Sequence, residues 1–288
     1  MLLTQYIYQS FYLFFIGSLI VKIILLLLNM KHVKSNFNEV PTQFQEIISL
    51  DDHQKAQRYT LDKNKFGIFT LVFHAIALVV WLESGALNSL FKYVQTISSS
   101  TITQGVLYLV FFSVINSIIS LPESLYNTFI LEEKYGFNKT TPKVFILDIL
   151  KQFIVSMIIG VPFIYLILFI LYSLGNSWWL ATWAFIIIFQ FIIIWAYPKF
   201  IAPLFNKFTK LEDEDLKKEI EVLSKKTNIT FQDYFIMNAS LRSAHGNAYF
   251  TGFGKNKRIV FFDTLLKGME DEEIEAILAH ELGHFHHK

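Results

Sequence analysis

The sequence predicts a mainly α, polytopic membrane protein, with about five transmembrane helices followed by a small α/β domain. Three observations carry that class. Five apolar stretches each approach the roughly 20 residues needed to cross a bilayer. Basic residues alternate between the segments that join them. The charged C-terminal stretch then mixes helical periodicity with short strand-like runs. The chain has 288 residues, 53% of them hydrophobic, with 30 Phe and 5 Trp, which is too apolar for an ordinary soluble domain. A net charge of +1 gives no case for a nucleic-acid partner, so the expected surroundings are a lipid bilayer. With no Cys in the chain, disulfides and thiolate ligands are excluded, and any bound metal must use His and carboxylates.

The first span covers about residues 6–29. It lacks a basic leading segment and a small-residue cleavage pattern, and it is longer than a signal-peptide core, so it reads as a retained helix. The others lie at about 66–83, 105–121, 153–174 and 178–197. The fifth is framed by Trp178 and Trp179 at one end and by Trp195 and Tyr197 at the other, matching two interfacial belts. Gly160 and Pro162 are expected to kink the fourth. Lys and Arg number none before the first span, six in 31–65, one in 85–104, four in 122–152 and none in 175–177. That alternation predicts an outside N-terminus and a cytoplasmic segment after residue 198, where thirteen more basic residues lie. The sequons at Asn138, Asn228 and Asn238 then face the cytoplasm and carry no glycan. Lys22, His74, Asn116 and Gln190 fall within spans and should face other helices or a watery cavity, most simply as interhelical hydrogen bonds. Between the third and fourth spans, Gly136 and Pro142 mark an ordered turn in a segment otherwise expected to be a solvated charged loop.

We divide the chain at about residue 204, with membrane helices and loops in 1–204 and the α/β part in 205–288. Within the latter, Leu216, Ile220 and Leu223 in a charged surrounding predict an amphipathic helix from Glu212 to Lys226. Asp233 to Met237 reads as a short strand, and 247–252 with 258–262 as a hairpin turning through 254–256. The last helix carries His280, Glu281 and His284 in an H-E-x-x-H pattern. Asp271 is its expected N-cap, and Glu272 and Glu273 suit its positive end. Residues four apart on a helix are separated by about 40° around the axis and about 6 Å along it, so both imidazoles share a face. Such a pair can reach Zn²⁺ at about 2.0–2.1 Å, with Glu281 beside a bound water as general base. The competing reading is an ordinary amphipathic helix end.

Several segments together carry a resemblance. His280-Glu281-Leu282-Gly283-His284, Arg242-Ser243-Ala244-His245-Gly246-Asn247-Ala248-Tyr249-Phe250, the stretch from Lys257 to Leu266, and Glu132-Glu133-Lys134-Tyr135-Gly136-Phe137-Asn138 resemble the type 1 CAAX prenyl proteases. Tyr197-Pro198 and the stretch from Ile201 to Phe208 look like that family's lead into its protease domain. The resemblance implies an integral membrane zinc endopeptidase with seven membrane helices around a water-filled chamber. It implies Zn²⁺ held by His280, His284 and a Glu well downstream, with Glu281 as the catalytic base. By resemblance to related zinc peptidases, Asn247, Ala248 and Tyr249 would form an edge strand that pairs with an extended peptide or protein substrate, prenylated or not; a plain structural hairpin is the alternative.

The sequence departs from that family by stopping at Lys288, without two family helices and the downstream Glu. The expectation is therefore a C-terminally incomplete protease domain, in a fragment or shortened reading frame that is inactive by itself. His287 lies about 10 Å along the axis from His280, too far to share one ion, and His245 is a neighbouring candidate only. The substrate expected from the resemblance is a prenylated CAAX C-terminus. A Lys-, Asn-, Ile- and Phe-rich chain without Cys favours a bacterial inner membrane over an endoplasmic reticulum membrane, and a general membrane quality-control metalloprotease is the runner-up to the CAAX reading. A non-catalytic membrane scaffold is the reading from another class.

Overall fold

The computed structural model describes the chain apart from residues 1, 228–230, 252–256, 270 and 287–288; the side chains of 2, 3, 226, 227, 271, 281 and 284–286 are likewise not described. It divides into two compact units, Met1–Ser99 with Leu107–Tyr135, and Ser100–Val106 with Gly136–Lys288.

The first unit is helical. Helix α1 spans Leu2–Ser35 and α2 spans Leu50–Glu83. Ser49 caps α2 by accepting from the backbone N–H of Asp52 at 3.1 Å, and Asp51 and Asp52 complement the helix dipole. The two helices pair antiparallel, since Tyr8 reaches Glu83 and Gly67 lies against Leu26. After Gly85, whose φ of 76° ends α2 in a left-handed turn, comes α3 at Ala86–Ile97, and then α4 at Thr101–Tyr126, which belongs to this unit from Leu107 onward. A π-helical turn at Asn127–Glu132 extends α4. Large side chains such as Leu13 (71% exposed) and Phe14 (74%) stand clear of the packed core, as lipid-facing surfaces do.

Two of the polar residues within the spans bond between helices as the sequence predicts. His74 Nε2 lies 2.6 Å from Glu123 Oε2, and Trp81 donates to Asn116 Oδ1 at 3.2 Å. Lys22 and Gln190 are exposed. The segment expected to be a solvated loop is instead anchored where the unit ends. Asp62 accepts from Lys134 Nζ at 2.6 Å and from the Tyr135 hydroxyl at 2.7 Å, and Tyr135 is buried. A carboxylate with two such donors removes the reason for the segment to stay in water.

In the second unit α5 covers Pro142–Ser173, with Thr141 as N-cap and Pro142 in the first turn, where its missing N–H costs nothing. The helix runs unbroken through Gly160 and Pro162. Helix α6 covers Trp178–Ala196, a π-helical turn follows at Tyr197–Ile201, and α7 is the short Ala202–Phe205. Among the described residues, five helical stretches are long and apolar enough to cross a membrane, beginning at Thr4, Leu50, Thr101, Pro142 and Gly175.

The remainder folds as β1 (Phe208–Lys210), α8 (Glu214–Thr227), β2 (Asp233–Met237), β3 (Ala248–Thr251), β4 (Arg258–Phe262), α9 (Asp263–Gly268) and α10 (Asp271–His286). The sheet order is β1-β2-β4-β3, with β2 parallel to β4 and the outer pairs antiparallel. The expected hairpin is the β3–β4 pair; its turn at 254–256 lies outside the described residues. Asp271 is the first residue of α10 instead of preceding it. Along β4 the side chains alternate. Ile259 and Phe261 enter a core with Leu216, Ile220 and Leu223 of α8 and Ile274, Leu278 and Leu282 of α10, while Val260 meets Met237 and Ala239 on the opposite face.

Ile274, Leu278 and Leu282 recur every four residues and are 1%, 1% and 0% exposed, so they fix the rotation of α10 about its axis. Truncating the middle one, Leu278→Ala, is expected to cost about 3 kcal/mol, because transfer and cavity terms add in a close-packed core. Thermal unfolding of the detergent-solubilised protein checks this; a loss under about 1 kcal/mol would show that this stripe does not hold α10.

Candidate active site

Helix α10 is continuous through residues 280–286, so His280 and His284 stand one turn apart on one face. The buried stripe occupies the other side of the helix, and His280 is exposed. Glu281 and His284 are positioned here by the backbone of α10. Two imidazole-bearing positions at this spacing suit a divalent metal that takes N-donor ligands. Among the described residues, which leave out the side chains of Glu281 and His284, no group of three or more His, Asp or Glu comes together to hold an ion. His287 lies outside the described residues.

Asn247, Ala248 and Tyr249 lead into and begin β3, an outer strand of the sheet. Asn247 is exposed; its backbone carbonyl accepts from the N–H of Phe262 at 2.9 Å. Ala248 points into the core shared with α10, whereas Tyr249 turns to the opposite face and meets the Phe262 ring edge-on. Burial, then the neighbouring Tyr197, pushes the Tyr249 hydroxyl above its ordinary value.

The stretch before β3 is held by contacts that sequence reasoning missed. Arg242 makes a bidentate pair with Asp148 of α5, through Nε at 2.7 Å and Nη2 at 2.9 Å. The same guanidinium donates to Asn206 Oδ1 at 2.9 Å and to the Phe205 carbonyl at 2.7 Å. Its own carbonyl accepts from the N–H of Lys139 and from the Thr140 hydroxyl, each at 3.0 Å. The N–H of Ala244 donates to the carbonyl of Phe137, and the Phe137 ring stacks on His245 with centroids 4.1 Å apart. Residues 137–140 thus form part of this scaffold and are not a free loop. Asp148, set among Val144, Phe145, Ile146, Leu147, Ile149 and Leu150 near the start of α5, was the available signal, since a carboxylate there favours a partner.

Two further contacts fasten this stretch to the end of β4. Gly246 packs against Leu265 so closely that a Cβ would lie 3.1 Å from its Cδ1 and 3.3 Å from its Cα. Asp263 accepts from the N–H of Ser240 at 2.8 Å and from the Ser240 hydroxyl. Burial raises the Asp263 carboxyl, but the Ser240 bonds and Lys267 outweigh it and leave the group below its ordinary value.

Arg242→Lys keeps a charge but loses the planar fork, so it is expected to destabilise the fold by about 1–3 kcal/mol, read from thermal unfolding. For Asp263, stability contributed by the lowered carboxyl is full above the ordinary value of 3.8 and lost as pH falls through the lower folded value. Asp263→Asn should therefore be less stable than the parent at pH 7, with the gap narrowing below about pH 4. An unchanged gap at acid pH would show that the carboxylate's charge is irrelevant there.

Comparison with known proteins agrees with this layout. Residues 29–207 match the family model described as CAAX prenyl protease N-terminal, five membrane helices, and residues 210–288 match Peptidase family M48. The CAAX prenyl protease 1 homolog of Mus musculus is 32% identical over 299 residues, covering 88% of this chain and 63% of its own length. That of Arabidopsis thaliana is 37% identical, covering 85% and 60%, and CAAX prenyl protease 1 of Saccharomyces cerevisiae is 34% identical, covering 88% and 59%. The crystal structure of S. mikatae Ste24p superposes with a TM-score of 0.85 at 34% identity, over 94% of this chain and 65% of that one. The chain therefore spans about 60% of the length of these relatives. On both matched regions, the chain belongs to the CAAX prenyl protease family of M48 peptidases.

Proposed function

We propose that the whole protein is a membrane-embedded zinc endopeptidase that cleaves prenylated CAAX-type C-termini. The observation that carries this reading is the H-E-x-x-H segment on a helix whose opposite face is locked into the core, with His280 exposed. His280 and His284 would supply two ligands, and a further carboxylate would complete the set. When bound, zinc supplies Lewis acidity, polarising a carbonyl and acidifying water. Glu281 takes the water's proton and returns it to the leaving amine, which keeps the proton count balanced across hydrolysis. The outer edge of β3 carries backbone groups that suit pairing with an extended peptide, and there main-chain bonds would hold the scissile region.

The names of the relatives support the CAAX substrate class. The charge alternation between spans supports an outside N-terminus and a cytoplasmic catalytic domain. Glu281→Gln in the whole protein is expected to retain zinc, measured by metal analysis, and to lower peptide cleavage by about 10²-fold or more. Undiminished cleavage would remove Glu281 from the mechanism. Prenylated and unprenylated peptides of one sequence separate the substrate classes, and equal rates would defeat the CAAX reading in favour of a general membrane protease.

A further inference from the structure

Between the start of α1 and the end of α2 lies a cleft of about 450 Å³, lined by Tyr8, Gln9, Tyr12, Val79 and Glu83. We propose that it binds the ammonium headgroup of a zwitterionic phospholipid. The Tyr8 hydroxyl donates to Glu83 Oε1 at 2.9 Å, and the Tyr12 hydroxyl donates to the same oxygen. Oε2 accepts no hydrogen bond from the described residues and keeps its charge for a ligand. The two phenol rings stand 4.9 Å apart, tilted by 58°. Two π-faces beside a carboxylate attract a cation by quadrupole and charge together, the composition that quaternary and primary ammonium groups favour.

The place of the cleft at the end of a candidate span favours a lipid over a dissolved cation. Helix α2 is a candidate span that ends at Glu83, and α3 begins only two residues beyond its cap. Leu87, Leu90, Phe91, Val94 and Ile97 form one apolar stripe on α3, with Asn88, Lys92 and Gln95 between them, the pattern of a helix lying in the interfacial plane. A span ending at Glu83 beside such a helix would set this carboxylate at headgroup level. Below it, the antiparallel register that sets Tyr8 opposite Glu83 and Leu26 opposite Gly67 sets Ile16 opposite Ile76, and these are 49% and 59% exposed. An acyl chain hanging from the headgroup would follow that apolar surface.

Delipidated protein in detergent, titrated with phosphatidylethanolamine, phosphatidylcholine or phosphatidylglycerol and read by native mass spectrometry, tests this. The two ammonium lipids should bind about five-fold more tightly than phosphatidylglycerol. Glu83→Gln keeps an oxygen for both phenols but removes the charge, so it should erase that preference while leaving phosphatidylglycerol binding unchanged. The proposal fails if the parent protein shows no headgroup preference, if Glu83→Gln retains it, or if the variant loses all three lipids alike. Free choline or ethanolamine competing as well as the matching lipid would also overturn it.

Discussion

The packing of the second unit turns on one guanidinium. Arg242 satisfies a carboxylate on the first turns of α5, a side-chain amide and a backbone carbonyl at the end of α7, and it lies in the turn after Ala239–Leu241, on the way to β3. A partly buried ion is costly to leave unmatched, and a flat fork with several donors meets that cost with direction as well as charge. The result is a joint with little rotational freedom, where helices built for lipid meet a sheet built around an aqueous-type core. No apolar contact would fix the angle so narrowly, because hydrophobic burial has no preferred direction.

From that joint two constraints converge on α10. One runs through residues 137–140 and 242–247, where backbone bonds, a ring stack and the close approach of Gly246 to Leu265 pin the start of β3 against α9. The other runs through the sheet itself, since Ile259 and Phe261 present the surface on which Leu278 and Leu282 rest. With its inner face spent on packing, α10 has one remaining direction in which to offer His280. Thus the face that carries His280 is set by leucines and isoleucines buried in the core.

What the sequence revealed and what it hid follow from interaction range. The five apolar runs, the strand at Asp233–Met237, the β3–β4 pair and the helix of Leu216, Ile220 and Leu223 were legible because each depends on periodicity within a few residues. The H-E-x-x-H pattern was legible for the same reason. Helix α3 escaped notice because its twelve residues are too short for a span and were grouped with a connecting segment. Strand β1 has three residues and exists only because β2 pairs with it. Arg242 and Asp148 are 94 residues apart, and nothing local to either names the other. The anchoring of Tyr135 to Asp62, 73 residues away, was hidden likewise, so a charged run read as solvated proved to be tied down.

The split personality of β3 bears on how selectivity could arise. Ala248 is committed to the core under α10 and Tyr249 to the opposite face, where it packs on Phe262. Ala248 has no side chain left over to read a peptide's sequence, and Tyr249 is half-buried. What the strand can offer along its outer edge is the main chain, and main-chain pairing is nearly indifferent to the residues it aligns. On the proposed protease reading, such an edge would align any extended segment, and discrimination would have to come from elsewhere. On that reading, attachment to membrane helices would supply one such source, because substrates held at the membrane, by a prenyl group or by an apolar segment, would reach the edge at a higher effective concentration.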